Sequence, residues 1–260
     1  MRKAYADTPG GPIHYATAGE GPPVLLLHQT PRSCDEYRDV LPLLARDFRA
    51  VAMDTIGYGG SYKPAGRSGI ADYARGAAEL LDALGIARAA VVGHHTGAVV
   101  GMELAAAYPD RVTRLVLSAS PWIDQKERVR RGGRAVVDHA EPREDGSHLG
   151  ELWAQRMAFY PKGRRDLLER FVMDALRAGE EKMAEGHLAC SAYPMEARIG
   201  LVRCPTLVLC ATGDPFAFPK LETVARHIPG SRTATIPGTV AVVDESPEVF
   251  VAAIRDFLRE

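Results

Sequence analysis

Two kinds of apolar pattern alternate along this chain. Residues 23–28, Pro23-Val24-Leu25-Leu26-Leu27-His28, are apolar almost without interruption, as in a strand buried on both faces of a parallel sheet. Similar short runs predict strands over 13–17, 48–53, 89–93, 112–118, 206–211 and 232–236. Between them, apolar residues recur every three or four positions. That spacing predicts helices over 35–46, 70–84, 96–108, 219–227 and 247–258. Gly85 is placed to end the second helix, and Pro109 the third.

The rhythm breaks from Pro121 to about Arg198, where the chain is more charged and helical in pattern. It resumes afterwards. Alternating strands and helices predict a mainly parallel sheet with helices on both faces. The interruption reads as helices inserted over the C-terminal strand ends, where open α/β sheets bind ligands. The expected division is a core of 1–120 and 199–260 with a helical cap of 121–198.

Composition narrows the partners more than the fold. Lys plus Arg is 32 against 33 for Asp plus Glu, a formal net charge of −1. Such balance argues against nucleic acid or an anionic membrane, and leaves a small molecule as the expected partner. Cys34, Cys190, Cys204 and Cys210 form no CxxC pair and no zinc spacing, so free thiols in a reducing compartment are expected. The first residues lack the apolar core of a signal peptide, and no apolar run approaches about 18 residues. A cytoplasmic location is the expectation.

Five segments, in order, carry a resemblance. Leu27-His28-Gln29-Thr30-Pro31 is similar to an HGxP loop with Gln29 in place of Gly. Asp54-Thr55-Ile56-Gly57-Tyr58-Gly59-Gly60-Ser61 fits D-x-x-G-x-G-x-S. Gly93-His94-His95-Thr96-Gly97 stands where G-x-S-x-G would be. Cys204-Pro205-Thr206-Leu207-Val208-Leu209 leads to Gly213-Asp214-Pro215, and Ile236-Pro237-Gly238 precedes Glu245-Ser246-Pro247-Glu248. Together they resemble the α/β-hydrolase superfamily over nearly the whole chain.

The resemblance implies a catalytic triad that this sequence does not contain. The nucleophile position holds His95. The stretch that would supply the last histidine has none, and Val240 or Ala241 falls at that place. The acid position keeps Asp214. A serine nucleophile needs a base to take its proton, so loss of both is chemically consistent with a changed mechanism.

His95 can then serve as general acid or base, oriented by Asp214. The resemblance also implies two backbone donors for an oxyanion, at Thr30 and Thr96. His28, Gln29, His148, Trp153, His187 and Val240 are the candidate substrate contacts. His28 has an alternative as a loop organiser, and the inserted aromatics as core. His94 reads as structural, and Asp244 and Glu245 as solvent-facing. The basic run Arg128-Val129-Arg130-Arg131 reads as a solvated helix face.

No metal site is expected, because adjacent His94 and His95 leave a strand in opposite directions. No cofactor is called for. The expected activity is cofactor-independent chemistry on a small carbonyl compound, with ester or lactone hydrolysis first. Lyase, decarboxylase or cyclase chemistry, and non-catalytic ligand binding, are the alternatives.

Overall fold

The computed structural model describes residues 1–132 and 140–260. Eight strands form one sheet: β1 (Arg2–Thr8), β2 (Gly11–Ala18), β3 (Pro23–Leu27), β4 (Arg49–Met53), β5 (Ala89–His94), β6 (Val112–Ser118), β7 (Thr206–Ala211) and β8 (Arg232–Ile236). Their spatial order is β1-β2-β4-β3-β5-β6-β7-β8. The β1–β2 and β2–β4 pairings are antiparallel, and all pairings from β4 through β8 are parallel.

Side-chain alternation divides the core between the two faces of the sheet. In β3, Leu25 and Leu27 pack with the helices Ile70–Ala83 and Thr96–Ala107. Val24 and Leu26 pack on the opposite face with the helix Pro247–Arg259. Both sets are buried, which is why β3 carries no polar alternation.

The strand order reverses at β3. From there the chain moves outward to β4, then returns to the other side of β3 as β5. A reversal of this kind leaves a crevice beyond the strand ends that no crossover helix fills. Thr30 follows β3 and His95 follows β5, so both lie at that crevice.

Between β6 and β7 the described residues supply the helices Gln125–Arg131, Ser147–Met157, Arg165–Ala178, Glu180–Ala192 and Met195–Arg198, and no strand. They have a small apolar cluster of their own, centred on Leu152, Tyr160, Leu167 and Phe171. Residues 133–139 of the expected insert lie outside the described residues.

One predicted element differs in form. Residues 35–46 are not a continuous helix but a 3-10 turn, Cys34–Tyr37, and a one-turn helix, Leu41–Leu44. Pro42 has no N–H to donate, and its ring excludes the carbonyl one turn earlier, so the helix cannot run through it.

Candidate active site

The tight turn at His95 has a local cause. His95 has φ 48° and ψ −112°, in the positive-φ region that L-residues avoid. The surroundings enforce that conformation. A Cβ on Gly93 would lie 2.1 Å from the Gly97 carbonyl oxygen, and one on Gly97 would lie 2.0 Å from that of Leu27. Backbone obstacles cannot rotate away, so both positions require glycine. The result lifts His95 off the end of β5, immediately before the helix Thr96–Ala107.

His95 Nε2 lies 2.9 Å from Asp214 Oδ2. The two atoms are in close contact, but the carboxylate oxygen does not meet the geometry of an aligned hydrogen bond. The other oxygen, Oδ1, accepts the amides of Phe216 at 2.8 Å and Ala217 at 2.9 Å. Burial opposes ionisation of Asp214. The His95 ring and those two amides outweigh it and hold the carboxyl below its ordinary range.

His94 is fully buried and edge-on to His95, with ring centroids 4.7 Å apart. Its Nε2 is 3.0 Å from the Val240 carbonyl, which can only accept, so Nε2 carries the proton. Its Nδ1 then accepts from the Ser118 hydroxyl at 3.0 Å. Burial, and then the adjacent His95, push its pKa well down, so it stays neutral. This histidine ties the turn to the loop where Val240 stands.

A cavity of about 340 Å³ opens here. Gln29, Thr30, His95, Thr96, His187 and Val240 all line it. The hydroxyls of Thr30 and Thr96 are 2.9 Å apart. Neither residue's amide N–H has an acceptor among the described residues. Gln29 is anchored by buried Glu36. Its amide donates to Oε2 at 2.9 Å and its side chain to Oε1 at 2.6 Å. That anchorage occupies the side chain which replaces the expected glycine.

Three expected contacts lie elsewhere. His28 is buried behind the wall: its Nδ1 donates to the Gln29 carbonyl at 2.7 Å, and its Nε2 accepts the Thr55 amide at 3.0 Å. Both ring nitrogens are used in holding loops. His148 is only half-buried and accepts the Arg143 amide at 3.1 Å. Trp153 packs against the inserted apolar cluster and borders a separate surface hollow with Met157 and Lys162.

Conversely, Arg130 and Arg131 line the cavity and do not simply form a solvated face. Arg156, Cys190 and Phe216 also line it, with no sequence signal beyond their place in the chain. Asp244 is buried, not solvent-facing, and pairs with Arg32 and Arg170. Glu245 is half-buried and accepts from the Thr239 amide and hydroxyl, each at 2.7 Å.

A second cluster brings together His14, Cys34 and Asp54, whose possible ligand atoms all lie within 4.8 Å of one another. Asp54 already accepts the amides of Cys34 at 2.6 Å and Gly60 at 2.7 Å, and contacts His14 Nδ1 at 2.7 Å. Burial, and then Asp54, push the Cys34 thiol upward, opposing the thiolate a metal would need. The cluster works as a hydrogen-bonded brace for the 54–61 turn.

A family model described as "alpha/beta hydrolase fold" matches residues 22–239. The chain belongs to the α/β-hydrolase fold family. It is 28% identical to a fluoroacetate dehalogenase of a Burkholderia species, over 95% of this chain and 90% of that one. Among solved structures, a hydrolase from Pseudomonas aeruginosa superposes with a TM-score of 0.86 at 26% identity, covering 100% and 99% of the two chains. A thermophilic esterase from Thermogutta terrifontis gives 0.83 at 25% identity, covering 100% and 98%. This α/β-hydrolase-fold protein is an enzyme. No helix among its described residues is long and apolar enough to cross a membrane.

Proposed function

We propose that this α/β-hydrolase-fold enzyme is a cofactor-independent hydrolase of small carbonyl compounds, esters and lactones first. His95 acts as general acid and base, Asp214 orients it, and the Thr30 and Thr96 amides hold the oxyanion. Segment 121–198 acts as a cap over a core of 1–120 and 199–260. The observation that carries the reading is the 2.9 Å contact between His95 and Asp214 at the cavity wall. The esterase and dehalogenase among the relatives support cleavage of small molecules.

The protonation states set the roles. With Asp214 ionised, the neutral imidazole keeps its proton on Nε2, which leaves the Nδ1 lone pair as the base. On this reading Nδ1 takes a proton from water as the water oxygen attacks the substrate carbonyl. The carbonyl electrons pass to an oxyanion held by the two amides and the positive end of the Thr96–Ala107 helix. The imidazolium, stabilised by Asp214, returns the proton to the leaving alkoxide. Water is consumed, and no acyl-enzyme forms.

A panel of activated esters and lactones, turned over in ¹⁸O-water, tests this. The acid product should carry one solvent oxygen. His95→Ala should lower kcat by roughly 100-fold or more, the usual contribution of a positioned acid/base. Asp214→Asn should lower it by a smaller factor and shift the pH profile. Turnover unchanged in His95→Ala would sink the proposal. Turnover without solvent oxygen would move the chemistry to a lyase, decarboxylase or cyclase.

A further inference from the structure

Part of the cavity wall is rich in arginine. Arg130, Arg131 and Arg156 line it together with His187, and no carboxylate side chain belongs to the wall among the described residues. The three arginines are graded in depth. Arg130 is largely exposed at the rim, Arg131 is mostly covered, and Arg156 is 4% exposed.

Their positions are built. Glu127 accepts from Arg130 at 2.6 and 2.9 Å and from Arg131 at 2.9 Å, so one carboxylate serves two guanidinium groups. Those two cations hold Glu127 down to about 2, first through the Arg130 hydrogen bonds. Arg131 Nη1 lies 3.4 Å from Ser191 Oγ, which also lines the cavity. The Arg156 guanidinium carbon lies over the Phe171 ring, 4.6 Å from its centroid. A guanidinium packed against an aromatic ring is confined in position, which suits recognition of a carboxylate.

We propose that this wall is an anion subsite, and that the substrate is an ester or lactone bearing a carboxylate remote from the reacting carbonyl. The inference rests on the hydrolytic reading of the cavity for the word substrate, but the subsite itself does not. A cavity lined both by the residues of the two amide donors and by guanidinium groups suits a molecule that forms an oxyanion at one carbonyl and carries a carboxylate as well. The dicarboxylate released by such hydrolysis would present one carboxylate to each set of donors.

Equilibrium binding separates the subsite from the chemistry. Calorimetry on the wild-type protein would compare glutarate with glutaramide, the uncharged diamide of the same length. Glutarate should bind at least tenfold more tightly at low ionic strength, and salt should erode that advantage. Arg131→Gln and Arg156→Gln should each reduce the preference several-fold. Arg131→Gln, at a less buried position than Arg156, keeps the test valid if the Arg156 variant fails to fold. Equal affinity for the two compounds, no glutarate binding, or a preference retained in the variants overturns the subsite. Failure of every ester and lactone to turn over, with glutarate binding intact, would instead overturn the hydrolytic reading alone.

Discussion

At the scale of single residues, the fold places charges where water cannot reach them and then supplies partners. Asp54 is the clearest case outside the site. Burial works against its ionisation, but the His14 hydrogen bond and the amides of Cys34 and Gly60 prevail and lower its pKa to about 2. The sign follows from linkage. A carboxyl with a folded-state pKa below its unfolded value stabilises the protein above the unfolded pKa. That stabilisation is lost as pH falls from about 4 through about 2. The shift corresponds to about 2 kcal/mol. Urea unfolding of wild type and Asp54→Asn should therefore differ most at neutral pH and converge toward pH 2. A gap independent of pH would show that Asp54 contributes by packing alone.

The same scale explains what the order of residues conveys and what it hides. His95 and Asp214 are legible because their places are set by short motifs. His28 is ambiguous because its position in the loop is the same whether its ring faces the cavity or braces the backbone. Both of its nitrogens are engaged by backbone groups. Asp244 has the sequence context of a surface acid near a helix start. It is buried because Arg32, itself fully buried, needs an anion beside it.

At the scale of elements, glycine at the turn after β5 is a geometric necessity. Gly97→Ala would drive a methyl group into the Leu27 carbonyl, and should cost about 3 kcal/mol and lower activity. Gly150 gives the contrast. It is exposed in the helix Ser147–Met157, and a Cβ added there would meet nothing within 4 Å. Gly150→Ala should stabilise by about 0.5–1 kcal/mol through the chain entropy it removes. Thermal unfolding of the two variants should move in opposite directions. Similar shifts would mean that the turn can relax around the new methyl.

Most of these elements can be read from periodicity, since a buried parallel strand and an amphipathic helix have distinct apolar patterns. β1 escapes such reading: Arg2–Thr8 is an edge strand with mostly exposed side chains, so it has no apolar run to announce it. The helix Val242–Glu245 escapes it too, because a single turn is too short to show a period. The turn at 34–37 and the helix Leu41–Leu44 merge into one predicted helix because apolar spacing continues across Pro42, although hydrogen bonding does not.

At the scale of the whole molecule, the inserted helices are held on the sheet by a buried ionic network. Arg32 Nε donates to Asp174 Oδ2 at 2.8 Å and its Nη1 pairs with Asp244. Ser33 donates to Asp174 Oδ1 at 2.7 Å, and Arg170 reaches both Asp35, at 2.7 Å, and Asp244, at 2.9 Å. Asp174 and Arg170 belong to the helix Arg165–Ala178, and the others to segments beside the sheet. Removing one member leaves buried charge without its partner. Asp174→Ala should destabilise by about 3–5 kcal/mol and expose 121–198 to protease before the rest of the chain. A loss under about 1 kcal/mol would show that the network contributes orientation and little stability.

The order of strands and helices along the chain and the turn after β5 follow from local pattern and motif order. Local sequence dictates them because hydrogen-bonding periodicity and steric limits act over a few residues. The cationic wall, the burial of Arg32 and Asp244, and the removal of His28, His148 and Trp153 from the cavity were decided by tertiary packing. Most of those features join residues far apart in the chain, and whether such side chains meet depends on how the inserted helices settle over the sheet. A sequence records which charges exist, but only the folded chain determines which of them share a dry space.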